Sequence, residues 1–323
     1  MWTNELFEDR QRELVDALQK RDPVVLAERL GAMFRSDFVI GMAGGSLGVA
    51  TQSRLNVWFS CLHTFSKLAA LAESQGAARM ENPEQGDIGL AFRGGVEKIV
   101  TDTEAALGVS LDFPDVGAAY GLQVAGRLLT PDAPDQIYAA ARLQRAIRAY
   151  LAARDGPLRV VEIGGGYGAM AYWLLQMMPL HYVIIDLPVV NVMQGYFLAQ
   201  ALGQSEVSLY GEPGGRVTIL PTHALSNVES PVDVLANKDS MPEIPEGALL
   251  EYLSWAQTAC DGIFYSYNQE AAAPFDGTPQ NVVPEVLTRV GGYVRIRRDV
   301  SWLRRGYAEE VYRLRPGAGG HGS

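Results

Sequence analysis

Apolar residues recur every three or four positions over the first half of the chain, which is the spacing of amphipathic helices. Leu14 and Leu18 share one such face. A second helix is predicted after Asp22-Pro23, which has the form of an N-cap followed by proline at the first helical position. Further helices are predicted over residues 51–75, 96–107 and 134–154.

The periodicity changes after Pro157. Short apolar runs alternate with helical stretches, and this order predicts a parallel sheet covered by helices on both faces. The predicted strands are residues 160–163, 182–185, 217–220, 232–236 and 262–267, with helices ending at residues 178, 202 and 260. Two last strands, 292–297 and 309–315, have no helix-length connection between them and are expected to pair antiparallel.

These patterns divide the chain into three parts. Residues 1–153 are expected to form a helical domain that acts as a lid, a substrate domain or an oligomerisation surface. Residues 154–316 form the α/β domain, and the glycine-rich tail, 317–323, is expected to be disordered. The predicted fold class is α/β, a Rossmann-like sheet with an antiparallel C-terminal strand pair, preceded by mainly α-helical residues.

Composition narrows the class of protein. Of the 323 residues, 48% are hydrophobic and 20% are charged, as in soluble globular proteins. The net charge of -10 argues against nucleic-acid binding, which requires a basic face. The two cysteines, Cys61 and Cys260, suggest neither a disulfide framework nor a metal site. The acidic amino terminus is unlike a signal peptide and no apolar run reaches membrane-spanning length, so a cytoplasmic protein without a membrane partner is expected.

A glycine-rich turn follows the first predicted strand of the α/β half, and its spacing fits two kinds of cofactor. Gly164-x-Gly166-x-x-Ala169, with Asp186 about 20 residues later, matches the dinucleotide fingerprint. The run that begins Glu162-x-Gly-x-Gly-x-Gly also resembles motif I of the methyltransferases that use S-adenosylmethionine. Such a turn can also connect a strand to a helix without any ligand.

Glu162 favours the methyltransferase interpretation. It lies two residues before the first glycine, where its carboxylate can meet the ammonium group of the methionine part of the cofactor. A dinucleotide would bring an anionic pyrophosphate to the same turn, where a further negative charge is unfavourable. Asp186 suits the ribose hydroxyls of either cofactor and does not discriminate between them.

Five stretches carry a wider resemblance: Val161-Glu-Ile-Gly-Gly-Gly-Tyr-Gly-Ala-Met-Ala, Tyr182-Val-Ile-Ile-Asp-Leu-Pro, Gln194-Gly-Tyr-Phe-Leu, Asn237-Lys-Asp-Ser-Met-Pro-Glu243 and Phe264-Tyr-Ser-Tyr-Asn-Gln269. Within residues 155–315 they resemble the bacterial family of sugar O-methyltransferases. The resemblance implies a methyltransferase sheet and S-adenosylmethionine as the methyl donor. It is weaker over the N-terminal half, from which no functional residue is carried over.

The resemblance also implies which residues hold the cofactor. Those at the methionine end would be Glu162, Gly164, Gly165, Gly166 and Tyr167. Asp186 and Leu187 would meet the ribose and the adenine, and Thr222 would lie near the adenine. Asn237 would lie close to the sulfonium methyl. Because a sulfonium repels a lysine, the side chain of Lys238 is expected to point away from it.

Methyl transfer to a sugar hydroxyl requires a proton to leave a weak acid, with the help of a general base or a metal ion. The candidates at predicted strand ends are His223, Asp239 and Glu243. His223 has the most suitable ordinary pKa, while the two acids could serve as bases or hold a divalent cation. All three could instead cap loops and turns. Two acids alone do not define a metal site, so no metal ligands are assigned.

Tyr265, Asn268 and Gln269 are predicted to bind the substrate, since an aromatic ring can stack on a sugar and amides can bond its hydroxyls. Plain sheet packing is the alternative for the tyrosine. The sequence thus predicts an S-adenosylmethionine-dependent O-methyltransferase acting on a sugar or glycosylated small molecule. The alternatives are O- or N-methylation of a non-sugar natural product, an NAD-dependent oxidoreductase, and a non-catalytic binder. Besides the small-molecule acceptor, a second copy of this chain is a candidate partner, bound through the N-terminal helices in a homo-oligomer.

Overall fold

The computed structural model describes residues 5–36, 39, 42, 54–82, 84, 93–153, 155–274, 277 and 279–314. The tail that the sequence predicts to be disordered, 317–323, lies outside these residues, as does the start of the helix predicted over 51–75. Within the described ranges, no helix combines the length and the apolar character needed to cross a membrane.

The described part of the first half is mainly helical, as its periodicity predicts. The α-helices among the described residues are α1 Glu5–Lys20, α2 Pro23–Gly31, α3 Arg54–Ser74, α4 Gly95–Leu107, α5 Ala133–Tyr150, α6 Ala169–Met177, α7 Pro188–Leu202, α8 Glu246–Ala259 and α9 Val283–Val290. Asp22 caps α2, because its Oδ1 accepts hydrogen bonds of 3.1 Å from the backbone N–H groups of Val24 and Val25. This confirms the predicted N-cap.

The strands in the described ranges are β1 Leu122–Val124, β2 Arg127–Leu129, β3 Leu158–Ile163, β4 Leu180–Asp186, β5 Val207–Leu209, β6 Val217–Pro221, β7 Val232–Lys238, β8 Cys260–Gln269, β9 Tyr293–Val300 and β10 Tyr307–Leu314. The pair β1–β2 forms a separate hairpin. The other strands form one sheet in the order β5-β6-β4-β3-β7-β8-β10-β9. Strand β10 is antiparallel to β8 and β9, and the remaining pairs are parallel. The α/β class, the Rossmann-like sheet and the antiparallel C-terminal pair are confirmed.

Two apolar clusters cover the faces of the sheet. On one face, Val160 and Tyr182 join residues of α5, α6, α7 and the N-terminal helices in one buried cluster. On the other face, Val161 and Phe264 pack with residues of α8 and α9. Because β3, β4, β6, β7 and β8 run parallel, their last residues meet along one side of the sheet, which we call the carboxyl edge.

Three short features were not predicted. The edge strand β5 and the β1–β2 hairpin consist of strands of three residues, too short to show an alternating pattern. The third is helix α9, which has only eight residues. The helix predicted over 134–154 ends earlier, at Tyr150, because Leu151 has an extended backbone.

Candidate cofactor and acceptor site

The turn after β3 requires glycine at its first position. Gly164 has φ +70° and its N–H donates a 2.8 Å hydrogen bond to Ile185 O, which ties the turn to the end of β4. A Cβ atom at Gly164 would lie 2.0 Å from Ser240 Oγ. Both the left-handed conformation and the close approach therefore exclude a side chain here. The backbone of Gly164, Gly165 and Gly166 stays partly exposed, so it can contact a ligand.

Glu162 lies directly beneath this turn. Its side chain is buried, with the residue 1% exposed, and a Cβ at Gly165 would come within 2.9 Å of its Oε2. The Tyr182 hydroxyl donates a 2.9 Å hydrogen bond to the same oxygen. Burial raises the pKa of Glu162 to about 7; the neighbouring Asp186 adds to the shift, and Tyr182 and Lys238 oppose it. A buried carboxyl of this kind is stabilised in its charged form by a cation bound beside it.

Asp186, the last residue of β4, is fastened to the same turn. Its Oδ1 accepts from its neighbour Leu187 N at 2.8 Å, and its Oδ2 accepts from Gln194 Nε2 at 2.8 Å. Gln194 also donates to Gly166 O at 2.8 Å, so one amide links the acid, the turn and α7. Burial raises the pKa of Asp186 to about 7. Asp186 remains partly exposed, so a ligand can reach it at the carboxyl edge.

Tyr167 does not extend toward the open side of the turn. Its ring is buried edge-on against Phe34 and Phe197, with centroids 5.0 and 5.1 Å away. Its hydroxyl donates a 2.5 Å hydrogen bond to Asp132 Oδ2 at the start of α5. The side chain predicted to line the cofactor thus anchors the N-terminal helices to the turn, because an aromatic ring gains more from this apolar surrounding than from solvent.

Asn237, at the end of β7, clamps three strands together. Its Nδ2 donates to Ile163 O at 2.7 Å and to Ser240 Oγ at 2.6 Å. Its Oδ1 accepts from Asn268 Nδ2 at 2.9 Å, which links β7 to β8. Both asparagines are buried on the α8–α9 face of the sheet. Their arrangement fixes the carboxyl edge beside the glycine turn.

A network of charged side chains occupies the other face of the carboxyl edge. Lys238 Nζ lies 2.6 Å from Asp239 Oδ2 and 3.3 Å from Asp135 Oδ2 in the first turn of α5. Arg304, between β9 and β10, contacts both oxygens of Asp239 through Nη1, at 2.6 and 2.5 Å. The Tyr267 hydroxyl donates to Asp135 Oδ1 at 3.2 Å. The ammonium of Lys238, whose side chain is 6% exposed, is thus held between two carboxylates.

The three residues predicted as bases differ in their surroundings. Burial alone would raise the pKa of Asp239, but the charges of Lys238 and Arg304 outweigh it and lower the pKa to about 2. Glu243 lies exposed in the turn after β7, and its pKa is raised by partial desolvation and by Asp239. Asp239 and Glu243 are therefore brought to the same edge.

His223 lies apart from these two acids. It is exposed in the short 3-10 helix Thr222–Asn227 after β6, with its ring 5.6 Å from that of Tyr210. Two strands, β4 and β3, separate β6 from β7, so roughly 14 Å of sheet lies between His223 and Asp239. Half-buried Thr222 and Leu187 follow the ends of β6 and β4 and remain accessible along the carboxyl edge.

The predicted substrate residues are not brought together. Tyr265 is 1% exposed in the middle of β8, and its hydroxyl has no hydrogen-bond partner among the described residues. Asn268 faces the opposite side of the sheet and is engaged by Asn237. Gln269, at the end of β8, donates to Gln280 Oε1 at 3.2 Å. Of the three, Gln269 is the one that ends at the carboxyl edge and is partly exposed.

Sequence reasoning missed Asp135, Lys67 and Arg304. Asp135 lies in the run Thr130-Pro-Asp-Ala-Pro-Asp135, which has the form of a helix start and no recognisable site motif. Lys67 has no motif around it, and Arg304 lies between two predicted strands. Among the described residues, no three His, Cys, Asp or Glu side chains converge as a metal-binding group.

No protein-family model and no curated protein matches the chain. The solved structures that match include the mitomycin 7-O-methyltransferase MmcR, with 14% identity and a TM-score of 0.43 over 93% of this chain and 84% of that one. An O-methyltransferase family 2 protein from Planctomyces limnophilus in complex with apigenin has 9% identity and a TM-score of 0.42, over 55% of this chain and 56% of that one. The Burkholderia thailandensis 1,6-didemethyltoxoflavin-N1-methyltransferase, with 1,6-didemethyltoxoflavin and S-adenosylhomocysteine bound, has 18% identity and a TM-score of 0.39, over 55% and 78%. Because these sequence identities and TM-scores are low, we base the fold assignment on the strand order of this chain.

Proposed function

We propose that the chain is an S-adenosylmethionine-dependent O-methyltransferase acting on a hydroxyl of a sugar or glycosylated small molecule. The observation that carries the proposal is the buried Glu162 carboxyl beneath an open glycine turn, with a pKa raised by burial to about 7. A cationic ligand offsets the cost of ionising such a group. The methionine part of S-adenosylmethionine carries an ammonium and a sulfonium, and it fits this charge.

The same observation disfavours the nicotinamide alternative. A dinucleotide would bring its anionic pyrophosphate to the turn, next to Glu162 and within the field of Asp186. Both carboxyl groups already influence each other, since the charge of Asp186 raises the pKa of Glu162. A pyrophosphate beside them would be repelled unless both carboxyl groups were protonated.

In this proposal each cofactor residue has one task. Glu162 holds the ammonium group, the backbone of Gly164, Gly165 and Gly166 lies along the methionine part, and Asp186 accepts hydrogen bonds from the ribose hydroxyls. Leu187 and Thr222 line the adenine end. Asn237 acts through its bonds to Ile163 O and Ser240, which keep the end of β3 and the following loop in place. Tyr167 anchors the turn from behind.

S-adenosylmethionine supplies an electrophilic methyl group, so the protein has to align the acceptor and take its proton. Asp239 is a weak base, since its pKa is lowered to about 2 by Lys238 and Arg304 in spite of its burial. We therefore propose that Glu243 accepts the proton of the acceptor hydroxyl. Glu243 follows the same strand, and its pKa is raised by partial desolvation and by Asp239. Asp239 instead holds Lys238 and Arg304 in place through ion pairs.

The carbohydrate acceptor is supported by the polarity of the carboxyl edge beside β7 and β8. Asp135, Lys238 and Tyr267 are buried there and bonded to one another, while Asp239 and Arg304 are partly exposed. Charged groups at this edge suit a ligand rich in hydroxyls better than a flat apolar one. The helices of residues 1–153 cover this region in the proposal. A homo-oligomer through the exposed Trp58, Phe59 and Leu62 of α3 stays a prediction that sedimentation can test.

The direct test is transfer of a labelled methyl group from S-adenosylmethionine to a panel of glycosides and deoxy sugars, with planar phenols as the comparison. Label in the glycosides supports the proposal. Label confined to phenols or amines contradicts the carbohydrate assignment, and no transfer to any acceptor supports the non-catalytic alternative. Activity lost with a chelator and restored by Mg²⁺ would assign the acceptor proton to a metal-assisted route through Asp239 and Glu243.

A further inference from the structure

Two cations, Lys67 and Arg304, lie within each other's electrostatic field beside the carboxyl edge. Helix α3 runs beside α5 and the β9–β10 connection: Arg145 Nη2 donates to Gln75 Oε1 at 2.7 Å, and Trp302 Nε1 donates to Glu73 Oε2 at 3.3 Å. Two turns before Gln75, Lys67 lies on this helix within the electrostatic field of Asp135 and Arg304. It is half-buried, like Arg304.

Lys67 has no ion-pair or hydrogen-bond partner among the described residues. Burial lowers the pKa of Lys67; the Asp135 carboxylate opposes this shift, and Arg304 and Lys238 add to it. Asp135 is already contacted by Lys238 and by the Tyr267 hydroxyl. A partly buried ammonium in the field of two other cations is unfavourable unless an anion joins them.

Arg304 also has donors to spare. Its contacts with Asp239 are made by Nη1 alone, which leaves Nη2 and Nε without an acceptor among the described side chains. The guanidinium lies 3.6 Å from the centroid of the Tyr307 ring, which fixes its plane. The side chain is 26% exposed, so the unused donors can be reached by a ligand. A planar fork of this kind matches a carboxylate or phosphate.

The charges near Lys67 do not balance. Lys67, Lys238 and Arg304 face the ionised Asp135 and Asp239. Asp132 is the other carboxyl that acts on Lys67, and burial raises its pKa, which favours its neutral form beside Tyr167. Among the described side chains that act on Lys67, the cations therefore outnumber the ionised carboxylates.

We infer that Lys67 and Arg304 bind an anionic group of the methyl acceptor, a carboxylate or a phosphate, so that the preferred acceptors are acidic sugars. The identification of this anionic ligand as the methyl acceptor rests on the proposed function. The anion is held by the ammonium of Lys67 and by the unused N–H groups of Arg304, while Asp239 keeps the other side of the guanidinium fixed.

The test is calorimetric titration of the full chain, saturated with S-adenosylhomocysteine, with three probes: D-glucuronate, D-glucose 1-phosphate and D-glucose. The acidic probes are expected to bind at least about tenfold more tightly than glucose, a difference of about 1.4 kcal/mol. Binding of glucuronate alone assigns the group as a carboxylate, and binding of the phosphate alone assigns it as a phosphate.

Lys67→Met is expected to abolish the preference for the acidic probes, and Lys20→Met, which removes an exposed charge at the end of α1, is expected to keep it. Lys67→Met should leave the melting temperature unchanged or raise it, because the ammonium has no ion-pair or hydrogen-bond partner in the described part of the chain. Arg304→Lys retains a positive charge beside Asp239 but removes the unused N–H donors of the guanidinium. It should therefore also weaken the binding of the acidic probes.

Three outcomes overturn the inference: equal binding of all probes to the wild type, an unchanged preference in Lys67→Met, or a marked loss of stability in that variant. Failure of the proposed function is distinguishable, since it appears as absent binding of S-adenosylhomocysteine. An anion preference measured without that ligand would then still depend on Lys67 and Arg304.

Discussion

The Tyr182 hydroxyl donates a hydrogen bond of 2.9 Å to Glu162 Oε2, one strand away and beneath the glycine turn. This bond favours the charged form of Glu162, but burial dominates and raises the pKa of the carboxyl to about 7. Glu162 therefore loses its proton near neutral pH in the free protein. A cation bound at the turn would favour the ionised form, which couples ligand binding to proton release.

Stability without ligand should fall as the pH rises, in part because of Glu162. Its pKa is raised from 4.5 to about 7 by burial, so the folded state holds the proton more tightly than the unfolded state. The resulting stabilisation, on the order of 3 kcal/mol, is present below about pH 4.5 and is lost as the pH rises through 7. Glu162→Gln should therefore be more stable than the wild type at pH 8 and similar to it at pH 4.

Chemical denaturation at several pH values checks this expectation, with exposed Glu28→Gln as the control. Burial also raises the pKa of Asp186, so the stability of Glu162→Gln should still depend on pH, but less than that of the wild type. If the free energy of unfolding depended on pH in the same way in Glu162→Gln and the wild type, Glu162 would not have a raised pKa in the folded protein.

Asp186→Ala should weaken the binding of S-adenosylhomocysteine by about 10- to 100-fold, because hydrogen bonds to a charged group contribute roughly 1.5–3 kcal/mol. Asp261→Ala removes an exposed acid at the start of β8, at the opposite edge of the sheet, and should leave the affinity unchanged. Isothermal titration of both variants makes the comparison. Equal affinities would mean that Asp186 does not hold the ribose.

Gly164→Ala should destabilise the fold more than Gly108→Ala. The two glycines have φ of +70° and +73°, so alanine costs about 1 kcal/mol of backbone strain at either position. At Gly164 the new Cβ would also lie 2.0 Å from Ser240 Oγ, whereas nothing lies within 4 Å of one at Gly108. The free energy of unfolding of each variant measures the difference. Equal losses would show that Ser240 moves aside without cost.

Glu243→Gln should lower kcat by about 10²- to 10⁴-fold if Glu243 accepts the acceptor proton. In the wild type, kcat should rise with pH through a pKa above the usual value for glutamate, since the base acts when deprotonated and desolvation raises its pKa. Asp239→Asn should raise KM for the acceptor by releasing Lys238 and Arg304, and His223→Ala should change kcat little. A large loss of kcat in His223→Ala with none in Glu243→Gln would reverse the assignment.

The sequence predicted the sheet well because its strands are buried and apolar, and the glycine turn because its spacing is local. It could not predict the directions of side chains. Tyr167 and Asn268 belong to stretches with a recognisable pattern, yet one enters an aromatic core and the other faces α8 and α9. The Asp135–Lys238–Arg304 network joins residues more than 60 positions apart, so no spacing indicates it. Such contacts depend on the packing of α5 against the sheet.

The most direct test of the methyltransferase assignment is a calorimetric titration of the wild-type chain with S-adenosylhomocysteine and, separately, with NAD. We expect micromolar binding of S-adenosylhomocysteine that weakens in Glu162→Gln, and no measurable binding of NAD. Micromolar binding of NAD without any binding of S-adenosylhomocysteine would contradict the assignment.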